Sequence, residues 1–135
     1  MAGDLEAFEG TVLDQAPPGA VVIGASLSPD GRYGAALTYL PSANYLMDDV
    51  LVRDGDRWQL HGGGSGVGIS WTFLGVLGEG DRGVLRYGGQ APDGASGAWV
   101  RYQGAEYKVP VRHGHFLFVA WDATSHENPA LIRFE

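Results

Sequence analysis

Four groups of residues in this chain have the types and spacing that chemistry needs. His61 stands before three glycines, Gly62 to Gly64, with Ser65 next. Such a run leaves backbone N–H groups open to an approaching atom, so it could stabilise a developing oxyanion or, as a supple loop, close on a partner. His113 and His115 are two apart; on one strand they would share a face and could share a metal ion. Carboxylates are paired at Asp48-Asp49 and at Asp54 and Asp56, types that can hold calcium or divide acid and base work between them. Trp99 and Arg101 flank Val100, and an aromatic ring beside a guanidinium is a pairing that protein interfaces use as an anchor.

None of the catalytic or metal patterns is complete. A His-Gly-Gly-Gly oxyanion loop works with a Gly-x-Ser-x-Gly elbow on a parallel α/β sheet, and Gly63-Gly64-Ser65-Gly66-Val67 ends in valine where the elbow ends in glycine. No lysine followed by serine or threonine comes after these glycines, so the grip of a phosphate-binding loop is missing. Gly114 lies between the two histidines, where a turn is expected, and a third ligand would have to come from His61, Asp122, His126 or Glu127. No glutamate closes a twelve-residue calcium loop after Asp54. Turn chemistry accounts for Asp54 and Asp56, because short acidic side chains bond to nearby backbone; Asp48-Asp49 interrupts a strand and suits a bulge. The chain has no cysteine, which excludes thiolate zinc sites and cysteine nucleophiles.

The elements that must position these residues are strands. From Ala98 to Trp121 apolar residues alternate, with Val100 and Tyr102 on one side of a first run and Tyr107, Val109 and Val111 on one side of a second. Gly104 and Gly114 punctuate the breaks, so three antiparallel strands in a meander are expected. The third, His115 to Trp121, is apolar on both faces and should be covered on both or lie at the centre of a sheet. Trp99 should point away from the side that carries Val100 and Tyr102. Upstream, Val21–Leu27 and Tyr33–Leu40 flank Ser28-Pro29-Asp30-Gly31, a type I reversal leading into a glycine bulge. Tyr45–Arg53 and Arg57–Leu60 flank Asp54-Gly55-Asp56, a second hairpin. Ile69–Leu77, Val84–Tyr87 and Pro129–Glu135 complete the strands, with a turn at Gly78–Gly83. His61–Gly68 and Gly88–Gly97 are expected as long glycine-rich loops. Residues 1–20 form an arm or edge element, in which Leu5, Phe8, Val12 and Leu13 suit a short helix or an edge strand.

With 135 residues, the chain is one domain by size, 1–135, able to bury about two-thirds of its unfolded surface without staples. Its net charge of −7 is scattered, which argues against nucleic acid as a partner. No basic-then-apolar leader or long apolar run is read in the sequence, so neither a membrane nor a location outside the cytoplasm is expected. Eight arginines to one lysine and 22 glycines are a composition of high-GC bacterial genomes.

The strands from Ala91 onward resemble the closing half of an immunoglobulin-like or fibronectin-like domain, in which a proline-led loop precedes a hairpin whose second turn carries glycine. The chain is also similar to small β proteins of actinobacteria, through Arg57-Trp58, the run Gly62 to Gly68, and Val109-Pro110-Val111 with Gly114 and Phe116. About eight to ten short strands, turn signals roughly every eight to twelve residues and no long helix point to an all-β fold, an antiparallel two-sheet sandwich in preference to a small barrel. The first resemblance implies an immunoglobulin-like form of it, and neither implies a function.

The function expected on these grounds is a non-catalytic binding module for a protein or small ligand. No cofactor or resident metal is expected, and a homodimer through a sheet face or edge is a further partner. Its site would draw on His61, Gly64, Ser65, Trp99, Arg101, His113 and His115. The alternatives are a small metal-dependent or hydrolytic enzyme using His61, His113 and His115, and a carbohydrate-binding module with Trp99 stacked on a sugar ring.

Overall fold

The first reversal is built from short-range bonds. The Ser28 carbonyl accepts from Gly31 N–H at 2.9 Å, and the Ser28 hydroxyl donates to Asp30 Oδ1 at 2.6 Å while accepting from Tyr33 N–H at 3.0 Å. Gly31 takes a φ of +74°, open to glycine at no steric cost. The turn joins β1 (Val21–Leu27) to β2 (Tyr33–Leu40), the bounds that the apolar runs imply. The computed structural model describes residues 2–66, 71–76, 83–121, 123 and 129–135. These residues are mostly strand, in two antiparallel sheets of four and six strands, so the all-β class expected from the sequence holds. The chain divides into two compact units, Met1–Gly68 and Ile69–Glu135.

In the first unit β1, β2, β3 (Tyr45–Asp54) and β4 (Arg57–Gly66) form an up-and-down meander. Between β3 and β4, Gly55 at φ +65° takes the first central position of a two-residue loop, the place a type II′ turn reserves for glycine. The N-terminal segment resolves to a helix, α1 (Ala2–Gln15). Leu5, Phe8 and Val12 share one stripe only at helical spacing, and they pack with Ala36, Leu51 and Trp58 against the sheet. Phe8 meets Trp58 edge-on, with ring centroids 4.8 Å apart. Pro17-Pro18 stops the helix, since proline disfavours helical backbone in the residue before it.

The expectation of a long loop at His61–Gly68 is corrected over 61–66; Val67 and Gly68 lie outside the described residues. β4 runs through Gly66, with Gly62, Gly63, Gly64 and Ser65 paired in register to Val50, Asp49, Asp48 and Met47. Glycine weakens a strand by its entropy but does not forbid one, and the ten-residue partner β3 supplies the ladder. The expected bulge also moves. Asp48 and Asp49 pair regularly with Leu37 and Ala36, and the shift falls between Val50 and Leu51, opposite His61.

The second unit contains β5 (Trp71–Val76), β6 (Gly83–Gln90), β7 (Gly97–Tyr102), β8 (Ala105–Arg112), β9 (His115–Trp121) and β10 (Ala130–Phe134), in the spatial order β10-β7-β8-β9-β6-β5. The Ala98–Trp121 meander is as expected, and β9 lies between β8 and β6. Both of its turns have two left-handed residues, Gln103 and Gly104 at φ +51° and +77°, and His113 and Gly114 at +52° and +75°, the signature of type I′ hairpins. The second glycine-rich loop shrinks, because β6 extends through Gln90 and only 91–96 connect it to β7.

β8 changes neighbour at Pro110. Up to Pro110 its register is with β7, and at Val111 and Arg112 with β9, while the Val111 N–H still donates to Ser96 O, just before β7, at 3.0 Å. Proline has no N–H to give a ladder, so pairing changes over around it. The buried core of this unit gathers Leu85, Tyr87, Val100, Tyr102, Phe116 and Phe118, with Leu131 and Phe134 packed beside it. Phe116 meets Phe134 at 5.9 Å and Tyr102 meets Phe118 at 5.7 Å, both edge-on. The strand at Ile69–Leu77 is seen over Trp71–Val76; the turn expected at Gly78–Gly83 lies outside the described residues, apart from Gly83. Among the described residues no helix is long and apolar enough to cross a membrane.

Candidate functional site

The outer side of the β10-β7-β8 portion is set by alternation. Ala98, Val100 and Tyr102 are buried toward the core, so Trp99 and Arg101 emerge on the opposite side, as the sequence implies for Trp99. Register then places Lys108 and Arg133 directly across from Trp99, and Glu106 across from Arg101. Trp99 is half-buried and Arg101 exposed. The Arg133 guanidinium lies over the Trp99 ring, 4.7 Å from its centroid, a favourable seat on the negative face of the π system. The Trp99 Nε1–H donates to Glu135 Oε2, and Lys108 Nζ lies 3.4 Å from the same oxygen. Arg101 pairs with Glu106 at 3.1 Å.

Glu135 is held in place through its backbone. Its N–H donates to Gly97 O at 2.9 Å and its carbonyl accepts from Ser96 N–H at 2.6 Å. The hydrogen bond from Trp99, then that from Lys108, holds the Glu135 carboxyl below the ordinary carboxylate value. The stem of Lys108 lies across Gly97, where a Cβ would come 2.6 Å from Lys108 Cε. The face is thus a ring N–H and three cations, Arg101, Lys108 and Arg133, with two carboxylates set among them.

No protein-family model, curated protein or solved structure matches the chain.

The other sequence candidates fall elsewhere. His113 stands exposed on the β8–β9 turn, while His115 is buried at the start of β9, its Nδ1 2.9 Å from the His113 carbonyl oxygen. The two imidazoles do not share a face, because the turn that Gly114 permits comes between them. His61, on β4 of the first unit, is exposed and meets Tyr33 edge-on at 5.7 Å. Gly64 and Ser65 sit in the β3–β4 ladder, so the His-Gly-Gly-Gly run is antiparallel strand and lacks the strand-to-helix setting an oxyanion loop needs. Asp48 and Asp49, as neighbours on a regular strand, point to opposite sides and form no dyad. Burial first, then the nearby Asp48 charge, pushes the Asp49 carboxyl above its ordinary value. Among the described residues no three His, Asp or Glu side chains are grouped to hold a metal ion; Asp122, His126 and Glu127 lie outside them.

The sequence pattern alone does not single out Lys108, Arg133 and Glu135. For Lys108 a signal exists: a two-residue turn at Gln103-Gly104 puts it opposite Trp99. Arg133 and Glu135 reach the site through β10, whose register on β7 has a bulge between Leu131 and Arg133, and no local pattern announces that pairing.

Proposed function

We propose that this chain is a non-catalytic binding module of the bacterial cytoplasm, and that it takes a protein partner on the outer face built by Trp99, Arg101, Lys108 and Arg133. The observation that carries this is the position of Trp99: a large ring on the solvent side of a strand whose other side is a filled core, flanked by guanidinium groups. Aromatic and arginine side chains are the usual energetic centre of protein interfaces. The alternation that buries Val100 and Tyr102 keeps Trp99 out of that core and leaves it half-buried under Arg133. Carbohydrate stacking is less well supported, since one face of the indole is already covered by Arg133.

A photo-crosslinking side chain substituted at Ala130, exposed and paired directly across from Arg101, and expressed in cells is expected to capture one defined protein, and capture is expected to be lost when Trp99→Ala is added. The same probe at Leu13, exposed on α1, is expected to miss it. Capture of the same proteins from both positions, or of nothing from Ala130, overturns the assignment.

A further inference from the structure

We infer that the Trp99 face is a carboxylate-recognition surface for an extended acidic segment of a partner protein, and that the Glu135 side chain is an internal occupant of its first position. This deepens the proposed binding function and rests on it. The chemistry is shown by what already sits there. One carboxylate oxygen, Glu135 Oε2, accepts from the Trp99 indole N–H and lies by Lys108 Nζ, with the Arg133 guanidinium stacked over the same ring. One row along, the Glu106 carboxylate lies on the Arg101 guanidinium. The face thus offers two carboxylate seats, one at Trp99 and one at Arg101.

Their spacing defines the ligand. Trp99 and Arg101 are alternate residues of one strand, and alternate side chains of an extended chain are about 6.7 Å apart. A partner segment in the same extended form carries its own side chains at that interval. Acidic residues at every second position would therefore meet both seats. Charge favours the encounter at the face itself, where Arg101, Lys108 and Arg133 stand against the carboxylates of Glu106 and Glu135. Over residues 69–135 as a whole six lysines and arginines meet seven aspartates and glutamates, so the attraction is local to the face. Glu135 is exposed, and its hold on Trp99 and Lys108 is a solvent-accessible one that a competing carboxylate can displace. Tethering gives Glu135 a high local concentration, so it sets a threshold that a single free carboxylate does not pass and a segment using both seats does.

The test uses the full chain and a seven-residue peptide of alternating glutamate and threonine. The controls are a peptide of the same composition with its glutamates contiguous, and free glutarate. Binding is followed by the Trp99 indole N–H resonance and by calorimetry. The alternating peptide is expected to move that resonance and bind more tightly than either control, weakening as salt screens the charges. Glu135→Gln is expected to raise its affinity about five-fold, the scale of an exposed charge pair. Trp99→Phe, which keeps a ring and loses the N–H, and Lys108→Ala are each expected to lower it by about the same factor. A purely structural role for Glu135 predicts no gain in Glu135→Gln.

An unmoved Trp99 resonance, equal binding of the two peptides, or an unchanged or weaker affinity in Glu135→Gln overturns the inference. If the Ala130 crosslink still captures its protein in that case, the binding face stands and only the acidic ligand falls. If it captures nothing, both fall.

Discussion

Gly34 on β2 presses directly on the ring of Phe8 from α1: a Cβ placed on Gly34 would lie 2.4 Å from one ring carbon and 2.5 Å from another. Phe8 is fully buried and held edge-on by Trp58, so the ring has little room to yield. Gly34→Ala is expected to destabilise the protein by about 1–3 kcal/mol, the usual cost of overpacking. Adding Phe8→Leu should recover part of that loss, because residues in contact do not behave additively. Denaturant titration of the two single variants and the double variant measures it.

Gly62 gives the opposite expectation. It lies in β4 opposite Val50, and a Cβ there meets nothing within 4 Å. A β-branched residue suits an open position on a strand, so Gly62→Thr should raise stability by about 0.5–1 kcal/mol. In a flexible loop the same change would have no such effect, so the thermal midpoint of this variant also checks the strand assignment.

Gln103 pays for a left-handed backbone that Gly104 beside it adopts freely. Gln103→Asn puts the residue preferred at this place in a type I′ turn. It is expected to stabilise the protein by about 0.5 kcal/mol, a fraction of the usual left-handed penalty. Gln103→Pro, which cannot take a positive φ, is expected to destabilise it strongly. Melting curves of both variants decide the point.

Asp49 sets a pH dependence. Its carboxyl is raised in the folded chain by burial and by Asp48, so the folded state holds this proton more tightly than the unfolded one. The resulting stability is fully present below the ordinary carboxylate value and is lost as pH rises through the raised one. Asp49→Asn should flatten that decline and leave the protein more stable at pH 7, by up to about 1 kcal/mol because solvent screens a half-exposed carboxylate. Urea midpoints taken at intervals from pH 4 to 8 would show it.

The strands were legible where a local cause existed. Ser28-Pro29-Asp30-Gly31 fixes its hairpin by its own hydrogen bonds, and the β-branched and apolar runs on either side give the bounds of β1 and β2. The meander around Gly104 and Gly114 is set by two left-handed pairs, and alternation alone placed Trp99 on the outer side. Where a remote partner decides, the local pattern misled. His61–Gly66 has the composition of a loop and is a strand because β3 offers it a ladder. α1 contains Gly3, Gly10 and the β-branched Thr11 and Val12, weak helix formers that depend on packing against the sheet. The candidate site divides the same way: Trp99 and Arg101 come from local pattern, while Arg133 and Glu135 arrive by a long-range pairing.

The change of neighbour at Pro110 leaves a seam in the second unit. β8 is matched to β7 at six positions but to β9 at only two, Val111 and Arg112. Across that line the backbone ladder is short, and cohesion falls to rings, with Phe116 against Phe134 and Tyr102 against Phe118. Amide exchange with solvent should thus enter the unit along this line. The two sides can breathe about Pro110 as leaves joined at a narrow spine, while the ladders within each leaf stay shut.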